Sequence, residues 1–123
     1  MIEVIPAPEH VAAFRVTGTV TTDDYDKIIP TIEEKLSDYE DIGVLTDLTG
    51  FEDMTADALK RDLQYGLSKL SELHRFKRAA VISDKQWIKA ATDMTGTLFP
   101  QIEARVFSEK EKTQAMNWVS DVH

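Results

Sequence analysis

The stretch Ile42-Gly43-Val44-Leu45-Thr46-Asp47-Leu48, then Leu59, Leu63, Leu67, Leu70 and Leu73, then Arg78-Ala79-Ala80-Val81-Ile82, decides the fold class. The first run is short and apolar, and it ends before a Thr-Gly pair, as a buried strand does. The leucines recur at spacings of four and three, which places them on one stripe of an α-helix. Thr55 stands where an N-cap belongs, and Met54 before it can staple onto Leu59. Ala79–Ile82 is a second short apolar run. Strand, helix and strand in that order form a crossover unit with two parallel strands. The leucine stripe is expected to be core, packed on that sheet.

Working outward, the same alternation continues. Ser83 and Gln86 match a capping box, and Ile82 is placed to staple onto Trp87. The helix they open runs to about Leu98 and stops before Pro100. Ile102–Phe107 is the last strand; Ser108 and Glu111 make another capping box, ahead of a helix that buries Ala115, Trp118, Val119 and Val122. Toward the N-terminus, Met1–Ile5 is a strand ended by Pro6 and Pro8. Val11–Val20 is the next strand, close enough for a hairpin and able to bend at Gly18. Thr21 or Thr22 caps a helix marked by Tyr25, Ile28, Ile29, Ile32 and Leu36, which Pro30 should kink or split after Ile29. The order β-β-α-β-α-β-α-β-α predicts an α/β fold: a single five-stranded, mostly parallel sheet with about four helices. The first strand is its antiparallel member, and residues 1–123 form one domain.

Composition narrows the function. The 123 residues are 42% hydrophobic and 29% charged, which excludes disorder as the main description. Lys and Arg number 14 against 22 Asp and Glu, a net charge of −8. Duplex nucleic acid and a polybasic membrane anchor both need the opposite sign. With no cysteine there is no disulfide, thiol nucleophile or zinc knuckle. No apolar run approaches the roughly 20 residues that span a bilayer. The opening Met1-Ile2-Glu3-Val4-Ile5-Pro6 is no secretory leader, so a cytoplasmic protein is expected.

Motifs that carry chemistry are missing. Gly18, Gly43, Gly50, Gly66 and Gly96 have neither Rossmann nor P-loop spacing, and no serine sits in a nucleophile elbow. His10, His74 and His123 make no metal triad and are expected to be solvated. Asp47, Glu52, Asp53 and Asp57 gather near the carboxyl end of the third strand, the edge where parallel sheets bind ligands. They suit a weak hard-cation site at most, since Asp57 also serves a helix dipole and Asp47 the turn at Gly50. An aspartate there resembles the receiver-domain acceptor, but the first strand ends Val4-Ile5-Pro6-Ala7-Pro8, without the acidic pair of that family. No cofactor is expected. The third helix is apolar on two faces, with Trp87, Ala91, Met94 and Leu98 on one and Ile88, Thr95 and Phe99 on the other. One face can serve the core and the other a pocket or a partner. Trp87, Ile88, Met94, Leu98 and Phe99 are therefore the candidate ligand or partner surface, with a homodimer as the default assembly.

Several stretches resemble the SpoIIAA-like family of STAS-related domains. They are Asp24-Tyr25 with Pro30, Val44-Leu45-Thr46-Asp47-Leu48, Phe51-Glu52 with Ala58-Leu59-Lys60-Arg61-Asp62-Leu63, and Ala79-Ala80-Val81-Ile82-Ser83-Asp84-Lys85-Gln86-Trp87-Ile88. Phe107, ahead of an acidic helix with Ala115 and Trp118, fits as well. The resemblance spans essentially the whole chain and implies the element order derived above. It also implies a non-catalytic regulatory or protein-interaction module. STAS domains of the anti-sigma-factor antagonist type are phosphorylated on a serine in an Asp-Ser-Ser/Ala-Gly pattern. The corresponding stretch here is Asp53-Met54-Thr55-Ala56, which makes Thr55 the candidate phospho-acceptor; read from the residues alone it is an N-cap. The same broad fold resembles CRAL-TRIO lipid carriers, so the alternative is a carrier or sensor of a small apolar or lipid-like ligand.

Overall fold

A computed structural model describes residues 1–98 and 100–121. Five strands, β1 (Ile2–Val4), β2 (Val11–Val20), β3 (Ile42–Met54), β4 (Phe76–Ile82) and β5 (Glu103–Phe107), form one sheet in the order β1-β2-β3-β4-β5. β1 runs antiparallel to β2, with Ile2 opposite Val16, and every other pair is parallel. The helices are α1 (Thr22–Asp38), α2 (Ala56–Ser68), α3 (Gln86–Leu98) and α4 (Lys112–Ser120); 3-10 turns at Leu70–Arg75 and Glu109–Glu111 precede β4 and α4. Parallel neighbours taken in sequence and joined by crossovers of one hand put the joining helices on one face. α1 and α2 accordingly pack on Ala12, Phe14 and Val16, while α4 covers Val11, Ala13, Leu45, Ala80 and Ile82 on the other face.

Four sequence expectations need correction. β3 does not stop at Leu48. It continues to Met54, because Gly50–Met54 finds partners in Thr17–Val20 of β2, with register shifts around Arg15–Thr17 and Gly18–Thr19. Gly18 supplies the positive φ of +64° that this irregular edge needs. Pro30 does not split α1, which is continuous over 17 residues. Tyr25 before it and Ile32 and Leu36 after it are all buried against the sheet, so packing keeps the residues on both sides of Pro30 helical.

The third correction concerns the leucines. Leu59, Leu63, Leu67 and Leu70 are 50%, 59%, 67% and 52% exposed, not core. α2 turns its Ala58, Asp62 and Tyr65 stripe inward instead: Ala58 is fully buried, Tyr25 Oη donates to Asp62 Oδ1 at 3.1 Å, and Tyr65 Oη donates to Glu33 at 3.3 Å. Finally, Ile82 does not staple onto Trp87. Ile82 belongs to the core under α4, whereas Trp87 lies on the opposite side of the sheet against Phe51, with ring centres 6.1 Å apart. Ser83 Oγ accepts from Lys85 N at 3.1 Å, a local turn ahead of α3. The box at Ser108 does form, with Ser108 N donating to Glu111 Oε1 at 2.9 Å.

Gly43 marks the tightest approach of the α4 face. A Cβ built on it would lie 2.9 Å from Val119 Cγ2 and closer still to the Val119 carbonyl oxygen. His10 fastens the same end of α4, its Nε2 lying 2.7 Å from Ser120 O.

Candidate functional site

The sheet face under α2 and α3 is paved with short side chains. Val44 and Thr46 of β3, Ala79 and Val81 of β4 and Ala104 of β5 point to this side, and Ala91 and Thr92 of α3 face them. α2 withholds Leu63 and Leu67 from this surface and brings only Leu59 to it, and α3 offers Ile88 and the side of Trp87. The space is left unfilled. A cavity of about 780 Å³ results, bounded by α1 through Tyr25, Ile28 and Ile32, by α2 through Leu59 and Asp62, and by the distal part of β3 through Leu48, Phe51 and Met54. That volume lies within the roughly 300–1,000 Å³ of small-molecule sites, and the apolar lining with a few polar groups is their usual chemistry.

The polar groups are few. Tyr25 is buried and its hydroxyl is committed to Asp62. Burial and the carboxylate beside it push the Tyr25 phenol well above its usual range. Solvent reaches Asp62 through the open side of the cavity. Burial by the surrounding protein still raises the Asp62 carboxyl above the ordinary carboxylate value, outweighing the Tyr25 hydrogen bond that lowers it. Glu52 and Asp53 stand at the β3 end of the lining.

The structure separates the carboxylates that sequence proximity had grouped. Glu52 and Asp53 line the cavity, whereas Asp47 is buried away from it. Asp47 accepts from Thr49 N at 3.0 Å and Thr49 Oγ1 at 2.7 Å, and pairs with Lys112 Nζ at 3.1 Å and Arg15 Nε at 3.7 Å. Asp57 lies in the first turn of α2. Among the described residues no three His, Cys, Asp or Glu side chains converge on a point that could hold a metal ion.

Of the third-helix candidates, Ile88 is buried and lines the cavity, Trp87 lines it while remaining 59% exposed, and Met94 is 65% exposed. The Leu98 side chain and Phe99 lie outside what the structure describes. Thr55 caps α2, its Oγ1 accepting from Ala58 N at 3.1 Å. Replacing Thr55 by alanine is expected to cost about 1 kcal/mol and by glycine only a few tenths. Urea midpoints for the two variants check this ordering. Sequence reading offered a pocket only at the third helix; the walls supplied by β3, β4, β5, α1 and α2 were not identified, since they come together only in the fold.

A smaller hollow of about 230 Å³ sits at the carboxyl ends of β4 and β5, between Ser83, Lys89 and Ser108. This is the sheet edge where the sequence pointed; the larger, apolar space lies on the sheet face instead.

The comparisons agree with this architecture. The model of the SpoIIAA-like family matches residues 11–120. A solved structure from Shewanella loihica PV-4, an uncharacterized protein of the DUF3478 family with a SpoIIAA-like fold, is 27% identical. The alignment covers 97% of this chain and 92% of that one, with a TM-score of 0.74. No curated protein matches the sequence. No helix among the described residues is long and apolar enough to cross a membrane. With a family match over nearly its whole length and the sheet order just described, the chain belongs to the SpoIIAA-like family.

Proposed function

We propose that the protein is a non-catalytic carrier or sensor of a small apolar or lipid-like molecule, held between the sheet and helices α1 to α3. One observation carries this reading: the apolar-lined cavity of about 780 Å³, left open where Leu63 and Leu67 of α2 turn away from the sheet. An apolar chain entering it gains about 0.8 kcal/mol for each methylene withdrawn from water. The resemblance of this broad fold to that of CRAL-TRIO carriers is in keeping with the same reading. The test uses 1-decanol, followed through the fluorescence of Trp87 in a Trp118→Phe background, because Trp118 lies on the other side of the sheet against Phe107. Saturable binding in the micromolar range is expected, and Ala91→Phe, which fills the cavity from α3, should weaken it at least about tenfold. Absence of saturable binding to the parent protein would refute the proposal.

A second reading, a regulatory interaction module that self-associates, is favoured by a different observation. Leu63, Leu67, Leu70 and Met94 form exposed apolar surface outside the cavity lining. Phosphate on Thr55 would meet the positive end of α2 beside Met54, which lines the cavity. Sedimentation equilibrium at micromolar concentration tests self-association, and a strict monomer would remove it.

A further inference from the structure

We infer that the occupant of the cavity is an amphiphile with a cationic amine head, and not a fatty acid or other anion. This rests on the carrier reading and adds a head group to it. The charged side chains of the lining, Glu52, Asp53 and Asp62, are all acidic. None of the three takes part in an ion pair among the described residues. Of the basic groups nearest in sequence, Arg61 turns to Asp26 at 3.2 Å and Lys69 to Glu33 at 2.7 Å, while Lys85 stands at the Phe51 end of the lining, donating to the Phe51 carbonyl at 2.7 Å. A carboxylate or phosphate head seated beside Asp62 would therefore meet a like charge, an unfavourable placement.

Asp62 is the group built to receive an amine. The buried Tyr25 hydroxyl holds one of its oxygens at 3.1 Å, which fixes the carboxylate of this lining residue while no donor among the described residues takes its second oxygen. The apolar wall of Val20, Ile28, Val44 and Leu48 provides for the chain of the same molecule. An ammonium on Asp62 forms a charge-assisted hydrogen bond, about twice as strong as a neutral one. It also supplies the counter-charge that this carboxylate lacks.

Decylamine, 1-decanol and decanoate, used below their micellar concentrations at pH 7 and low salt, separate the possibilities. Binding is read through Trp87 in the Trp118→Phe background. Decylamine should bind at least about tenfold more tightly than decanoate, the scale of one charge-assisted contact. Asp62→Asn should bring decylamine down to the affinity of decanol and leave decanol unchanged. Glu34→Gln, which removes the same charge from an exposed position outside the lining, should have no effect. If Asp62→Asn does not fold, Glu52→Gln, at an exposed lining residue, should lower decylamine affinity by about threefold through charge alone. Equal binding of amine and carboxylate, or an equal loss in Glu34→Gln, overturns the head-group inference while decanol binding keeps the carrier reading. Failure of all three probes overturns both.

Discussion

Alanine at position 43 is expected to lower the unfolding free energy by about 3 kcal/mol, at the upper end of what overpacking costs. The reason is the seat of α4. A single methyl on Gly43 would meet the Val119 carbonyl oxygen and sit 2.9 Å from Val119 Cγ2. A backbone oxygen cannot rotate away as a side-chain end can. α4 would have to lift, drawing its Ala115 and Val119 away from Leu45 and Ala80 of the sheet. Gly66 is the internal comparison, because a methyl there meets nothing within 4 Å. It lies inside α2, where alanine is the better helix former, so Gly66→Ala should stabilise by roughly 0.5–1 kcal/mol. Guanidinium denaturation of both variants gives the contrast directly. Equal small effects at the two positions would mean that α4 is not seated as described.

The second large effect is expected at Asp47. Its side chain is only 2% exposed and is bonded twice to Thr49 and once to Lys112. Removing it in Asp47→Ala strands the Thr49 amide and hydroxyl and should cost about 2 kcal/mol. The ionic share is modest, because Arg15 and Lys112 remain more than two-fifths exposed and are screened by solvent. Burial alone would raise the Asp47 carboxyl. The Thr49 hydroxyl, the Thr49 amide and Lys112 together hold it below the ordinary carboxylate range. A depressed folded value means that the stabilisation is complete above the unfolded value, near about 3.9, and is lost as pH falls through the folded one. Thermal melts between pH 7 and pH 2 should show a shallower acid decline for Asp47→Asn than for the parent. Parallel declines would count against the bonding described.

Much of the architecture was legible in the sequence because its signals are local. The strand at Val44–Leu48, the cap at Thr55 and the box at Ser108–Glu111 need only neighbouring residues to be read. What was not legible depends on distant partners. Thr49–Met54 carries acidic residues and a glycine, and it becomes strand because β2 runs beside it. The α2 stripe shows the same limit from the other side. Spacing identifies which residues share a face of a helix, but not which face the rest of the protein will cover. Here the polar partners Tyr25 and Glu33 select the face carrying Ala58, Asp62 and Tyr65. For the site, the third-helix candidates Trp87 and Ile88 do border the cavity, whereas Tyr25 and Asp62, 37 positions apart, are joined only by the fold.

The two faces of the sheet are consequently held by different kinds of cohesion. α4 adheres chiefly through dry contact: Ala115 and Val119 are fully buried, and the strand beneath approaches to the limit that a glycine allows, with the Lys112–Asp47 pair and the His10–Ser120 bond added at its two ends. α2 is moored to α1 by hydroxyl–carboxylate and cation–carboxylate links at Tyr25–Asp62, Tyr65–Glu33, Lys69–Glu33 and Arg61–Asp26. Added electrolyte weakens links of the second kind and strengthens contacts of the first. Ionic strength therefore acts more on this wall of the cavity than on the layer behind the sheet, where ion pairs such as Lys112–Asp47 only supplement a dry core, so the wall can loosen ahead of the rest of the molecule.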